Sequence, residues 1–296
     1  MEVVKLSQRH PIVAVTGSSG AGTSTVKTAL EHVFRRLSVN AAVVEGDSFH
    51  RYDRKEMRKQ LKLAKKENRN LTHFGPDGNL FDRQYELFKS YGESGTGMRR
   101  YYIHSEEEAE LHGARPGTFT EWQSLPPDTD LLFYEGLHGG VVTKDYNLRE
   151  QVDLLIGVAP TINLEWIQKI KRDTAERGHE QEGVMDTIYR RIYDYMHYIV
   201  PQFSLTDINF QRTPLVDTSN PFIGREIPSP EQSLVVIHFL NPGVSDEYKL
   251  KLKGLIEGTI ITGFNTLVIP GTKMTYAMEM ILSTRISDLL KKRGHL

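Results

Sequence analysis

Residues that could do chemistry cluster first at Gly17, Ser18, Ser19, Gly20, Ala21, Gly22, Thr23, Ser24 and Thr25. Glycines at 17, 20 and 22 let backbone N–H groups turn inward around phosphate oxygens. Gly17 and Gly22 fit the phosphate-binding pattern G-x-x-x-x-G-K-[ST], and Ser24 takes the hydroxyl position that ligates Mg²⁺. The lysine of that pattern is absent, because Thr23 stands in its place. A ligand-free glycine turn remains the plainer alternative for the loop taken alone.

Two carboxylates follow apolar runs. VVEGDSFHR places Asp47 just past one run, where it could accept a proton from an attacking hydroxyl. His50 and Arg54 come three and seven residues later, cationic anchors for a phosphorylated substrate if the segment is helical. LLFYEG ends in Glu135, the arrangement that sets an acid beside a nucleotide-bound Mg²⁺. Either acid could instead be an ordinary turn residue.

The cation missing at Thr23 has a candidate source in QKIKRDTAER. On a helix, Lys169, Arg172, Asp173 and Arg177 share one face. Periodicity alone favours an exposed stripe of intrahelical ion pairs. The vacancy at Thr23 favours a lid that brings positive charge to the transferred phosphoryl group. Ser24, Glu135 and Asp173 are the expected oxygen donors for the metal.

These residues need a scaffold. Strands are expected at 12–15, 41–46, 131–136, 152–158, 233–240 and 266–271. The first four runs are continuously apolar, as in strands buried on both faces. Intervening helical segments point to an α/β fold with a mainly parallel sheet, and ligands bind outside the carboxyl ends of such strands. Helices are expected at 161–175 and 184–200, the second stopped by Pro201, around the polar loop 176–183. That pair is either a mobile lid over about 165–195 or an ordinary hairpin. A terminal helix is expected at 274–293, packed by Met278, Ile281, Leu282 and Leu289. The chain is expected to form one domain over 1–296.

Composition narrows the classes. Charged residues make up 25% and hydrophobic ones 39%, an ordinary globular balance. With no cysteine, disulfides, zinc thiolates and catalytic thiols are excluded. The net charge of −1 gives no general attraction to nucleic acid. The basic run 51–69 reads as a solvated helix, and HSEEEAELHG (104–113) as a charged turn or helix, not a metal site. No apolar run suits a membrane span, and the first residues lack a secretory core, so a cytoplasmic protein is expected.

The segments HPIVAVTGSSGAGTSTV, VEGDSFHR, LLFYEGLHGG, NLEWIQKIKRD, IVPQFSLTDINFQR and PLVDTSNPF resemble the bacterial phosphoribulokinases along nearly the whole chain. That resemblance implies a P-loop kinase fold with a mixed sheet and a helical lid, using ATP and Mg²⁺ to phosphorylate O1 of ribulose 5-phosphate. It implies that Asp47 is the base and that Lys169 touches the transferred phosphate. Arg172, Asp173 and Arg177 would form the lid face, and Glu135 would be the Walker B acid. His50, Arg54, Tyr102 and His104 would contact the sugar phosphate, and Arg190 with Arg191 would be a functional pair. A homo-oligomer with NADH and AMP as effectors is a further implication, although VVIHFLNP carries His238 and Leu240 where arginines would be expected. Segment 65–84 is less typical and could line the sugar site. A uridine-kinase-like enzyme and a non-catalytic nucleotide-binding regulator are the alternatives.

Overall fold

The computed structural model describes residues 10–17, 23–175, 178, 180–223, 226–240 and 243–294, without the side chains of Thr23 and Ser24. Ser18, Ser19, Gly20, Ala21, Gly22 and Arg177 lie outside the described residues. The strands are β1 (Ile12–Thr16), β2 (Ala41–Glu45), β3 (Met98–Arg99), β4 (Gln123–Ser124), β5 (Leu131–Gly136), β6 (Leu154–Pro160), β7 (Ile208–Pro214), β8 (Ser233–Phe239), β9 (Ile260–Thr262) and β10 (Thr266–Pro270). The helices are α1 (Thr23–Leu37), α2 (Arg54–Lys66), α3 (Phe81–Ser94), α4 (Glu106–His112), α5 (Ile162–Ala175), α6 (Gln181–Asp194), α7 (Val200–Phe203), α8 (Asp246–Leu255) and α9 (Met274–Arg293).

Eight strands form one mixed sheet in the order β2-β5-β1-β6-β7-β8-β10-β9. The first five run parallel, and β8, β10 and β9 add antiparallel neighbours. The apolar runs of β1 and β6 are buried at every residue, because helices cover both faces of the sheet centre. On one face Val13, Val15, Phe133 and Ile156 meet α1 and α9, whose Ala277, Met278, Ile281 and Leu282 are fully buried. On the other face Ile12, Ala14, Leu132 and Tyr134 meet Phe88 and Tyr91 of α3.

Three sequence expectations need correction. Strand β2 alternates between half-buried and buried residues, because it is the sheet edge. Strand β7 was not anticipated: INFQRTP has only Ile208 and Phe210 buried, so its apolar signal is short. Pro201 does not stop the helical path. A π-turn over Tyr195–Ile199 passes into α7, with Val200 N–H donating to Tyr195 O. The wider turn accommodates a residue that has no N–H to donate and would crowd a regular turn.

The basic run forms α2, which faces inward with Met57 and Ala64 and is capped by Asp53, whose Oδ1 accepts from Glu56 N–H at 2.7 Å. Helix α4 is capped by Ser105 and ended by Gly113 at φ +67°. Among the described residues no group of three or more His, Cys, Asp or Glu could hold a metal ion, and no helix is long and apolar enough to cross a membrane.

Candidate active site

The parallel strands open their carboxyl ends on one edge, where the described candidates Asp47, just past β2, and Glu135, on β5, lie. β1 leads into the glycine loop, and Gly17 N–H donates to Gly136 O at 3.3 Å. Glu135 on β5 stands in register with Val15 of β1 and Glu45 of β2. Lys27, one turn into α1, binds Glu45 at 2.9 Å. Burial lowers its pKa, but the Glu45 hydrogen bond and charge, then the charges of Glu135 and Glu31, outweigh burial and raise it.

The ends of β2 and β5 touch through glycine. A Cβ on Gly46 would sit 2.6 Å from the Tyr134 hydroxyl and 2.9 Å from Gly136 Cα, while one on Gly136 would sit 2.7 Å from Gly46 Cα. This contact fixes the single turn Gly46–Phe49 that presents Asp47. Arg100 holds the same turn from outside. Its Nε donates to Ser48 O at 2.8 Å and its Nη2 to His50 O at 2.7 Å, with the guanidinium 3.6 Å from the Phe119 ring centre.

Asp47 lies between two histidines. His50 Nε2 is 3.1 Å from Oδ1 and His104 Nε2 is 3.4 Å from Oδ2. The Tyr102 ring centre is 4.9 Å from His104 and 6.4 Å from His50. Burial pushes the Asp47 carboxyl up, but the His50 charge and hydrogen bond, with the charges of His104 and His73, hold it well below its ordinary 3.8. Arg54 opens α2 and lies against Gly117, whose carbonyl accepts its N–H at 2.9 Å. A Cβ on Gly117, at φ +82°, would meet Arg54 at 3.0 Å.

A second group lies on α5 and α6. Lys169 Nζ is 2.5 Å from Asp173 Oδ2, and Arg172 Nη2 is 3.1 Å from Oδ1. The plainer sequence reading, intrahelical ion pairing, is therefore present in this conformation. The setting is nevertheless unlike an exposed stripe: the Lys169 side chain is only 12% exposed. Burial, then the charge of Arg191, brings Lys169 from 10.5 down to about 8, against the opposing pull of Asp173. Arg191 lies 5.3 Å from the Phe74 ring centre, and Arg190 Nη1 donates to Leu71 O at 2.8 Å.

Residues 71–79 join these groups, so part of the less typical segment does lie against the site. His73 lies tilted against His50, with ring centres 4.2 Å apart and ring planes at 36°. Burial, then the charges of His50 and Arg191, lower the His73 pKa well below 6.5, while Asp47 opposes the shift. Thr72 Oγ1 donates to Asp194 Oδ2 of α6 at 2.5 Å, and buried His138 Nε2 donates to Phe74 O at 2.9 Å. Burial brings His138 down to about 3, so it is neutral near pH 7. Sequence reasoning missed Asn79, His138, Arg100 and Gln202. Gln202 joins the end of β1 to the loop after β5: its Oε1 accepts from Thr16 Oγ1 at 2.9 Å and Gly140 N–H at 3.0 Å.

Strand β1 and helix α1 flank the glycine loop of the sequence, and Asp47 follows β2, two strands from β1 in the sheet, an order compatible with a kinase. The Phosphoribulokinase / Uridine kinase family profile matches residues 12–219. The chain is 54% identical over 290 residues to the chromosomal phosphoribulokinase of Cupriavidus necator, covering 97% of this chain and 98% of that one. It is 51% identical over 287 residues to a probable phosphoribulokinase of Escherichia coli, with 97% and 98% covered. The solved phosphoribulokinase from Rhodobacter spheroides superposes with a TM-score of 0.87 at 45% identity, covering 97% of this chain and 99% of that one. The chain belongs to the phosphoribulokinase / uridine kinase family.

Proposed function

We propose that this chain transfers the γ-phosphoryl group of ATP to O1 of ribulose 5-phosphate, giving ribulose 1,5-bisphosphate and ADP. The observation that carries the reading is Asp47 held between His50 and His104 at 3.1 and 3.4 Å. A proton acceptor flanked by two ring nitrogens suits a hydroxyl on a molecule that also bears an anion. The relatives named phosphoribulokinase support the same substrate.

In this proposal the backbone of Gly17 to Thr25 holds the nucleotide phosphates, and His50, Arg54, Tyr102 and His104 hold the sugar phosphate. Asp47 orients the O1 hydroxyl and accepts its proton. A carboxylate held well below its usual pKa is a weak base, but a loose phosphoryl-transfer transition state asks more for orientation than for basicity. Lys169, with Arg172, Arg177, Arg190 and Arg191, supplies positive charge around the transferred group, taking the part of the lysine absent at Thr23. Delivery would require Lys169 to leave Asp173, which couples charge to the closed state and limits hydrolysis without acceptor.

Glu135 and the Ser24 position offer hard oxygen donors, a set that fits Mg²⁺, which keeps waters and substrate oxygens as its other ligands. Asp173, held by Lys169 and Arg172, would have to exchange those partners to join it. Bound Mg²⁺ would supply charge neutralisation on the phosphates. The proposal also carries a cytoplasmic homo-oligomer responsive to NADH and AMP, tested by sizing the protein and assaying it with each nucleotide.

The test of the substrate is ADP release over ribulose 5-phosphate, other sugar phosphates and uridine. Turnover confined to ribulose 5-phosphate is expected. No turnover on it by folded, ATP-binding protein refutes the assignment.

A further inference from the structure

The His50 ring meets an oxygen on each side. Its Nε2 lies 3.1 Å from Asp47 Oδ1, and its Nδ1 lies 3.0 Å from Asn79 Oδ1. The orientation of the Asn79 amide follows from its other end. Nδ2 donates to His73 O at 2.9 Å and to Gly75 O at 2.7 Å. Carbonyl oxygens only accept, so the NH₂ must face them and Oδ1 must face the ring. Reversing the amide would set its oxygen against two oxygens and forfeit both bonds. His50 Nδ1 must then be the donor in that contact.

The turn that presents Asn79 is itself fixed. Gly78 N–H donates to Gly75 O at 3.2 Å, and Asn79 N–H donates to Pro76 O at 3.2 Å. A Cβ on Gly78 would meet Thr72 O at 2.1 Å, so only glycine lets the chain close there. The turn is tied to the Asp47 turn by Leu80 N–H to Phe49 O at 2.8 Å and Arg51 N–H to Gly78 O at 2.9 Å. Asn79 is 1% exposed and so acts through its neighbour.

Resting on the sugar-phosphate reading above, we infer that Asn79 is a positioning residue of the acceptor site: it keeps a proton on His50 Nδ1 and thereby turns Nε2 toward Asp47 and the substrate. Which nitrogen of a histidine is available for chemistry is set by the bond its other nitrogen makes. Asn79 is the only described side chain shown bonded to Nδ1 of His50. With Nδ1 donating to Asn79 and Nε2 donating to Asp47 the ring is held at both ends; without Asn79 it can turn over, and the N–H it offers toward Asp47 and the substrate is no longer fixed in place.

Two measurements test this. In ¹⁵N-histidine-labelled native protein, assigned with His50→Gln, the His50 Nδ1 resonance should have the shift of a protonated ring nitrogen near neutral pH. A bare Nδ1 overturns the inference, whatever the substrate proves to be. In steady-state assays Asn79→Leu should lower kcat/KM for ribulose 5-phosphate about 10- to 100-fold, as loss of an orienting partner typically does, with KM for ATP within about twofold. In a His50→Ala background the same substitution should cost under about twofold, because the residue it acts through is gone. Equal losses in both backgrounds would mean that Asn79 merely braces its turn, and would overturn the inference. If Asn79→Leu does not fold, the native spectrum still decides. If native protein fails to turn over ribulose 5-phosphate, the function assigned above falls while the spectrum still tests Asn79.

Discussion

The charge on Lys169 should set the alkaline limit of activity. Burial and the neighbouring charge of Arg191 bring its pKa from 10.5 to about 8. At about 1.4 kcal/mol per pH unit, that is a penalty of about 3 kcal/mol on the ammonium in the free protein. About nine-tenths of the population would carry the charge at pH 7 and about one-tenth at pH 9. The assay is ADP release with kcat/KM measured from pH 6 to 10, since that ratio reports groups of the free enzyme. It should fall about tenfold per pH unit above 8. In kcat the limb should move to higher pH, because bound phosphates favour the ammonium. Lys169→Arg stays charged throughout and should lose the limb while keeping a lower plateau. Lys169→Met should lose about 10²–10³ in kcat at pH 7, the scale of a removed transition-state donor. Stability runs the opposite way. The folded pKa lies below the unfolded one, so the unfolded chain binds more protons between about 8 and 10.5, and this group's contribution to stability rises across that window. An unchanged limb in Lys169→Arg, or a flat native profile to pH 10, would refute the reasoning.

Asp47→Asn should lower kcat about 10²–10⁴-fold in the same assay. Because the folded pKa of Asp47 is depressed, its stabilising contribution is present above its ordinary 3.8 and is lost as pH falls further. The difference in denaturant midpoint between native protein and Asp47→Asn should therefore shrink in acid. Gly46→Ala should cost about 1–3 kcal/mol in urea unfolding, because its Cβ would press on Tyr134 and Gly136. Gln202→Leu should cost about 1–3 kcal/mol, since it removes the acceptor of the buried Gly140 N–H and one partner of Thr16 Oγ1. Denaturant titration measures it.

Those residues differ in how far a sequence can announce them. The glycine loop, Asp47, Glu135 and the Lys169 face are candidates that a sequence can nominate, because each is a local pattern: glycines between apolar strand and helix, an acid at a strand end, charges at helical spacing. The strand-and-helix alternation likewise gave the α/β fold, since continuous apolar runs need cover on both faces. Strand β7 was not legible, because its polar residues are stabilised by ladder bonds to β6 and β8 and not by an apolar run. The partnerships within the site were hidden for a related reason. His50 meets Asn79 from 29 residues away, Thr72 meets Asp194 from 122, and Thr16 meets Gln202 from 186. No periodicity encodes such pairs. The sequence by itself determined the α/β fold class and nominated the groups proposed above for phosphoryl transfer. The tertiary structure decided that Asp47 stands between two histidines, that Asn79 fixes the ring of one, and that Lys169 rests on Asp173, because hydrogen bonds depend on positions that only the packed sheet and helices define.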